Sequence, residues 1–268
     1  MIEIPRKIHY CWFGKKPMSK TIGKCIASWK IHLPDFEIIL WNETNAELNH
    51  PFVQQALKDK KWAFVSDYVR LKVLADHGGI YLDTDMLVLK DFSELLSQQC
   101  FVGMESERYI SCGVIGAHKN HPYILKCLRR YDAVDVSKPG NYKSLIIPKI
   151  FTSVFKARYK MHTLIAKQYD DVLVMDVNCF YPYPNPDPNK RRKEGDYLHY
   201  ITEDSFAVHL WERSWTGYNE FQLIHQGRYL KAFIGMIKRG NQKGLEPKTY
   251  FKKLISTLRI SILQSYEK

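Results

Sequence analysis

The chain has 268 residues, of which 45% are hydrophobic and 13% aromatic, and its formal net charge is +12. This length allows one large domain or two small ones, and the composition is typical of a globular enzyme with a sizeable core. The six cysteines are scattered without a Cys-x-x-Cys pair. That spacing argues against a zinc ribbon or a disulfide framework and favours free thiols in a reducing compartment.

The basic charge is concentrated near the C-terminus. Residues 228–268 contain ten Lys or Arg and two Asp or Glu, a net charge of +8, so the other 227 residues carry only +4. A zinc finger, an RNA-recognition signature and basic residues interleaved with aromatic ones are all missing, so we expect no nucleic-acid partner. A terminal basic segment is better explained by peripheral contact with an anionic membrane.

Long apolar segments are missing from the sequence. No stretch reaches the roughly 18 to 20 consecutive apolar residues of a membrane span, and the first residues lack the apolar run of a signal peptide. We therefore expect a cytoplasmic protein, with any membrane contact at the inner face of the membrane.

Apolar strands and amphipathic helices alternate along the chain. The predicted strands are residues 8–13, 36–41, 80–89, 101–104, 112–117, 172–175 and 205–210. The predicted helices are residues 19–32, 52–60, 65–77 and 121–131, the third with Ser66 as its N-cap. This alternation predicts an α/β fold with a mostly parallel central sheet.

Two segments near the C-terminus stand apart. Residues 181–196 are rich in proline and contain the basic run Lys190–Lys193, which is typical of either a solvated loop or a basic flap over a diphosphate. Beyond Trp215, apolar residues recur at helical spacing between basic ones. They form either helices packed on a core or a surface for a membrane or a partner. We predict a catalytic domain over residues 1–220 and a basic amphipathic helical segment over residues 221–268.

The most informative motif is Gly78-Gly79-Ile80-Tyr81-Leu82-Asp83-Thr84-Asp85. Aspartate is depleted in strands, so two aspartates in an apolar strand indicate a function. Strand side chains alternate between faces, so Asp83 and Asp85 are expected to point the same way. Two such carboxylates repel unless a cation lies between them, and Mg²⁺ or Mn²⁺ often shares oxygen ligands with a diphosphate. The alternative is a solvated loop, where Asp-x-Asp is common.

Four stretches together resemble glycosyltransferase family 32, whose sugar-binding region contains an Asp-x-Asp motif, and more distantly the glucosyltransferase domains of large clostridial toxins. They are residues 4–14, 63–70, 78–85 and 209–215, and they cover the chain from about Ile4 to Trp215. The resemblance implies a GT-A type nucleotide-sugar fold with a central mostly parallel sheet and a helical C-terminal extension. It also implies a divalent metal, Mn²⁺ or Mg²⁺, and retention of the anomeric configuration.

The resemblance also implies roles for individual residues. Asp67, Arg70, Asp83 and Asp85 are the expected catalytic set. The expected metal ligands are Asp83, Asp85 and His209. The expected donor-binding residues are Ile8, Trp12, Tyr81, Asp83, Trp211 and Trp215, with Trp12 stacked on the nucleobase and Tyr81 at the ribose.

General chemistry agrees with several of these roles. Asp67 and Arg70 are separated by three positions and share one helix face. Arginine makes fork-shaped contacts to phosphate that lysine cannot reproduce, and tryptophan offers a rigid face to a planar base. A neutral imidazole is an acceptable ligand for Mn²⁺ beside oxygen atoms.

We therefore predict a retaining, metal-dependent hexosyltransferase. Its donor would be a nucleoside-diphosphate sugar, most simply a UDP-hexose, and its acceptor a growing surface polysaccharide, such as a capsule, or a lipid-linked oligosaccharide. One alternative is a phosphatase of the haloacid-dehalogenase type, which also places Asp-x-Asp after a strand. Another is a non-enzymatic sugar- or nucleic-acid-binding protein.

Overall fold

A computed structural model describes residues 3–135, 145–190, 192–212, 214, 219–241 and 244–266. The chain divides into two compact units. Unit 1 comprises Met1–Tyr183 and Tyr200–Glu212, and unit 2 comprises Pro184–His199 and Arg213–Lys268. The division by function at residue 220 stays a prediction.

Nine strands form two sheets in the described part of the chain. They are β1 (Lys7–Cys11), β2 (Glu37–Trp41), β3 (Gly79–Leu82), β4 (Met86–Val88), β5 (Cys100–Ser106), β6 (Tyr109–Ala117), β7 (Lys167–Gln168), β8 (Leu173–Met175) and β9 (Ala207–His209). Seven of them form the central sheet in the order β2-β1-β3-β6-β5-β8-β7, and β4 pairs with β9 in a separate ribbon.

The central sheet is mixed but mostly parallel. β1 runs parallel to both β2 and β3, and β5 runs parallel to β8. β6 is antiparallel to β3 and β5, and β7 is antiparallel to β8. Five of the seven strands therefore point in one direction, which confirms the predicted α/β architecture.

Nine α-helices surround or follow these strands in the described residues. They are α1 (Lys20–His32), α2 (Pro51–Lys58), α3 (Trp62–His77), α4 (Pro122–Leu128), α5 (Ile147–Arg158), α6 (Val177–Phe180), α7 (Glu220–His225), α8 (Tyr229–Arg239) and α9 (Pro247–Tyr266). No described helix is long and apolar enough to cross a membrane.

The core of unit 1 lies between the sheet and its helices. It contains the fully buried side chains of Ile8, Trp29 and Phe101. Trp29 also donates its indole N–H to the carbonyl of Met86 at 2.7 Å, which ties α1 to the β4 strand. Because buried polar groups need such partners, this bond fixes the position of β4 beside the central sheet.

Two predictions about the helices are wrong. Ser66 is not an N-cap, because α3 begins four residues earlier at Trp62, after Lys61. No helix is predicted for residues 147–158, where α5 forms. Pro148 stands in the first turn of α5, where proline is tolerated because that N–H has no partner within the helix.

Unit 2 contains the predicted helical C-terminal extension, formed by α7, α8 and α9. Its small core includes Leu223, Ile224 and Ala232, with Leu254 and Leu258 packed against them. The Gln226 amide, just after α7, donates to two carbonyls of the preceding proline-rich segment. They are the carbonyl of Pro188, at 3.2 Å, and that of Lys190. Arg191, within the basic run, lies outside the described residues.

Candidate active site

The Asp83–Asp85 motif is a turn, not part of a strand. β3 ends at Leu82 and β4 begins at Met86. The Met86 backbone N–H donates to the Asp83 carbonyl at 3.0 Å, which closes a β-turn from Asp83 to Met86. The prediction that period-two alternation places both carboxylates on one strand face is therefore wrong. Each carboxylate meets a different set of neighbours.

The turn lies at the carboxyl edge of the sheet. β1 and β3 are parallel neighbours, with His9 opposite Tyr81. Trp12 follows the end of β1, as Asp83 follows the end of β3. Because parallel strands end at the same edge, the topology brings Trp12 and Asp83 to one side of unit 1, the side where open α/β sheets bind ligands.

Arg70 is the hub of the first half of the site. Its guanidinium lies 2.9 Å from Asp67 Oδ1 and 3.3 Å from Asp83 Oδ1. It also donates to the Cys112 carbonyl at 2.6 Å. Arg70 is only 5% exposed. One buried cation therefore joins α3, the turn after β3, and β6.

Tyr81 contacts both Arg70 and Asp83. Its ring lies 4.5 Å from the Arg70 guanidinium carbon, a cation–π contact. Its hydroxyl donates to Asp83 Oδ1 at 3.1 Å and lies 3.1 Å from Ser66 Oγ. Tyr81 is buried, so it orients the Asp83 carboxylate from within the protein.

Asp85 and His209 form the second half. His209 Nε2 lies 3.1 Å from Asp85 Oδ1, and the Glu212 backbone N–H donates to Asp85 Oδ2 at 2.8 Å. The antiparallel pairing of Met86 with His209 brings these residues together. The Leu210 N–H donates to the Asp85 carbonyl at 2.9 Å, which fixes the turn from its other side.

Burial and neighbouring charges raise the pKa values of Asp67 and His209 and lower that of Asp85. Burial raises the pKa of Asp67 to about 7, although Arg70 opposes the shift. Burial also disfavours charge on Asp85, but His209 and the Glu212 N–H hold the pKa of Asp85 below its ordinary value. Asp85 in turn raises the pKa of His209 against the effect of burial. Asp85 and His209 therefore each stabilise the charged form of the other, and His209 would bind a metal ion only as the neutral imidazole.

The other predicted donor-binding residues have varied positions. Trp12 is half-buried, and its indole N–H donates to the Lys16 carbonyl at 2.7 Å. Trp211 stacks edge-on against His209 with ring centroids 4.1 Å apart and donates to the Tyr183 carbonyl. Ile8 is fully buried in the core, so its side chain does not reach the edge. Trp215 lies outside the described residues.

Tyr181 and Gly113 are site residues that the sequence analysis missed. The Tyr181 hydroxyl accepts from the Val114 N–H at 3.0 Å, and its ring packs edge-on against His209. A Cβ on Gly113 would lie 3.0 Å from that hydroxyl and 3.2 Å from Asp83 Oδ2. Gly113 therefore leaves room for both groups. Tyr181 begins the proline-rich segment, and no local pattern marks it.

The donor atoms at this edge suit a hard divalent cation. Carboxylate oxygens such as those of Asp83 and Asp85 are the ligands that Mn²⁺ and Mg²⁺ prefer, and the imidazole of His209 is an acceptable ligand for Mn²⁺ beside them. Nδ1 of His209 is buried without a hydrogen-bond partner among the described residues. Within that same part of the chain, no three His, Cys, Asp or Glu side chains are grouped so that they could hold a metal ion, so the structure does not assemble Asp83, Asp85 and His209 as a metal site.

Comparison with known families identifies the segment that contains most of this site. Residues 19–102 match the family described as "Glycosyltransferase sugar-binding region containing DXD motif". The matched segment includes Asp67, Arg70, Tyr81, Asp83 and Asp85. The resemblance to this family is thereby confirmed over residues 19–102, and the mixed, mostly parallel central sheet is the α/β architecture that the resemblance implies.

Curated relatives are similar over part of their length. The lactosylceramide 4-alpha-galactosyltransferase of Rattus norvegicus is 27% identical over 57% of this chain and 42% of its own. The inositol phosphoceramide mannosyltransferase 3 of Schizosaccharomyces pombe is 29% identical over 47% of this chain and 36% of its own. The chain thus spans less than half the length of these relatives. Among solved structures, the PaToxG glycosyltransferase is 23% identical over 59% of this chain and 70% of its own, with a TM-score of 0.48.

Proposed function

We propose that this protein is a metal-dependent, retaining glycosyltransferase that moves a hexose from a nucleoside-diphosphate sugar, most simply a UDP-sugar, to a glycan or lipid-linked glycan. The observation that supports this best is that neighbouring residues fix both carboxylates of the Asp-x-Asp turn. Arg70 and Tyr81 hold Asp83 from one side, while His209 and the Glu212 N–H hold Asp85 from the other.

The cation would be Mn²⁺ or Mg²⁺, held by Asp83, Asp85 and His209. When bound, such an ion supplies Lewis-acid stabilisation of the departing diphosphate. The protein side chains would supply the rest of the binding energy for the donor and would orient it. Because both carboxylates are already fixed by hydrogen bonds, little side-chain entropy would be lost when they bind the ion.

Arg70 has a positioning role in this proposal. Its guanidinium is shared by Asp67 and Asp83, so it keeps two carboxylates close together at the edge where a negatively charged donor would bind. Asp67 is expected to contact the donor sugar, as the family resemblance implies. Its raised pKa suits a group that donates or accepts a hydrogen bond in a dry pocket.

Trp12 is proposed to stack on the nucleobase. It follows the end of β1 beside the turn, and its indole N–H bond to Lys16 fixes the ring. Tyr81 is buried, so it would act at the ribose through Asp83, whose carboxylate accepts from the Tyr81 hydroxyl. Trp211 is proposed to line the donor site, and Ile8 would contribute through its backbone or by supporting β1, while a donor-binding role for Trp215 stays a prediction from the sequence.

The proposals of a retaining mechanism and of the acceptor type are supported by the names of the curated relatives. One relative is named as an alpha-galactosyltransferase that acts on lactosylceramide, and another as a mannosyltransferase that acts on inositol phosphoceramide. Alpha products from alpha-linked nucleotide sugars require retention. Both named acceptors carry a lipid, which supports a lipid-linked acceptor here. The two relatives transfer different sugars, so the sugar must be found by experiment.

A donor panel tests the proposal. The protein would be incubated with Mn²⁺ and separate UDP-, GDP-, ADP- and CMP-sugars without an acceptor, and release of the free nucleotide would be measured. We expect slow release from one class of nucleoside-diphosphate sugar and none from CMP-sugars, which lack a diphosphate. Release from none of them, with or without a glycolipid acceptor, would contradict the proposal.

A further inference from the structure

Exposed apolar side chains are concentrated on two helices of unit 2. Of the fifteen large hydrophobic side chains that are exposed in the described residues, ten lie on α8 and α9. Leu230 is 72% exposed, Ile237 69% and Ile255 67%. Clustered exposure on this scale indicates a surface that another body covers.

The α8 helix has one apolar stripe. Its members recur at i, i+3, i+4 and i+7, so they share a face. They are Leu230, Phe233, Ile234 and Ile237. Ala232, on the opposite side, is buried. Lys231 and Lys238 are exposed and lie about 80 to 100° around the helix from Leu230, along one border of the stripe.

The α9 helix buries two polar side chains and exposes several apolar ones. Thr257 is 5% exposed and Ser261 is fully buried. The Ser261 hydroxyl donates to the Ile224 carbonyl at 2.6 Å. Phe251 and Ile262, by contrast, are 60% and 47% exposed. Leu254 and Leu258 pack on the core of unit 2, so α9 has apolar side chains on both its packed side and its exposed side, and packing within its own domain accounts only for the first.

Basic residues also border the α9 stripe. Phe251, Ile255 and Ile262 fall within about 40° of each other around the helix axis. Lys248, Lys252 and Arg259 follow on the adjacent side and are exposed. Across residues 228–268 there are only two acidic residues, and the net charge is +8.

We propose that the exposed faces of α8 and α9, here called the amphipathic surface, dock on an anionic lipid surface. Apolar stripes bordered by lysine and arginine are the pattern of helices that lie in a membrane interface, where the apolar side chains enter the acyl boundary and the basic ones meet the headgroups. Charge argues against a second copy of this chain as the occupant, because two segments of +8 would repel each other. This inference does not depend on the enzymatic activity.

Vesicle sedimentation with the full chain tests the proposal. The probes are phosphatidylcholine vesicles with and without phosphatidylglycerol, at low and high salt. One variant carries Leu230→Gln and Ile237→Gln, and a second carries Lys252→Glu and Arg259→Glu. Ile31→Gln is the matched control, because Ile31 is 71% exposed on α1. Thermal unfolding of every variant checks that the fold is kept.

We expect the protein to bind phosphatidylglycerol vesicles at low salt and to be released at high salt, since ions screen exposed charges. Each double variant should bind at least tenfold more weakly, and Ile31→Gln should bind as the unaltered protein does. Equal binding to neutral vesicles, or none to either kind, would overturn the proposal. Concentration-dependent dimers that the Leu230→Gln, Ile237→Gln variant abolishes would instead assign the amphipathic surface to a second copy.

Discussion

Asp85 and His209 are 124 positions apart in the sequence, yet Asp85 Oδ1 lies 3.1 Å from His209 Nε2. This contact joins the turn after β3 to the last strand of unit 1. Because His209 is only slightly exposed, the contact orients the Asp85 carboxylate rather than merely neutralising it. The second half of the site therefore depends on how the β4–β9 ribbon forms.

Replacement of His209 tests this dependence. We expect His209→Ala to raise the Mn²⁺ concentration needed for half-maximal donor hydrolysis by about 10- to 100-fold, the range for lost ligands or groups that orient them. A metal titration of nucleotide release measures this. His199→Ala, on an exposed residue, is the control and should leave the titration unchanged. An unchanged titration in His209→Ala would remove His209 from the metal site.

A double-mutant cycle tests the buried charges around Arg70. Arg70→Met leaves Asp67 and Asp83 without their shared cation, so we expect the free energy of unfolding to fall by about 3 to 5 kcal/mol. Asp67→Asn removes one of the stranded charges. The double variant should therefore be less destabilised than the sum of the two single variants, as measured by urea unfolding. Strict additivity would show that the Asp67–Arg70 contact has little energetic effect.

Trp12 can be tested by calorimetry with the free nucleoside diphosphate. If its indole stacks on the base, Trp12→Ala should weaken binding by about 1 to 3 kcal/mol, the scale of aromatic–base stacking. Trp12→Phe should lose less, because it keeps a ring. A folded Trp12→Ala variant with unaltered affinity would mean that Trp12 only packs beside Lys16.

The buried His9 side chain leads to a prediction of how the stability of the protein depends on pH. Its Nδ1 accepts from the Trp41 indole at 3.1 Å and its Nε2 lies 2.8 Å from the Gly78 carbonyl, so the folded protein needs the neutral ring. Burial, against the effect of the Gly78 carbonyl, lowers the pKa of His9 from 6.5 to about 4. Between these values the unfolded chain binds a proton that the folded chain does not. Stability is therefore complete above pH 6.5 and is lost as the pH falls toward 4, by up to about 3 kcal/mol.

Urea unfolding of the unaltered protein and of His9→Gln, at pH 7 and at pH 4.5, checks this. The variant should be less stable at pH 7, because it loses the ring contacts. Its stability should also fall less on acidification than that of the unaltered protein. The same fall in both proteins would assign the acid sensitivity to other groups.

Local patterns predicted the helical part of the site well. The three-residue spacing of Asp67 and Arg70 placed them on one face of a helix, and the structure brings their charged atoms within 2.9 Å. The alternation of strands and helices likewise predicted the α/β architecture. In both cases the decisive interactions are close in sequence, where periodicity determines geometry.

Contacts between distant segments could not be predicted in this way. The register of β4 with β9 depends on the packing of the whole unit, so no local signal places His209 beside Asp85. The apolar neighbours of the Asp-x-Asp motif predict a strand there, although the structure has a turn. The turn forms because the Asp83 carbonyl accepts from Met86, and the strand period does not apply inside it.

The most direct test of the metal-dependent site is nucleotide release from the preferred UDP-hexose with Mn²⁺, in excess EDTA, and after Mn²⁺ is restored. Asp85→Asn is compared with Asp91→Asn, a control on an exposed residue. We predict that EDTA abolishes release, that Mn²⁺ restores it in the unaltered protein and in Asp91→Asn, and that Asp85→Asn stays inactive while remaining folded. Full activity in EDTA, or in a folded Asp85→Asn variant, would contradict the account.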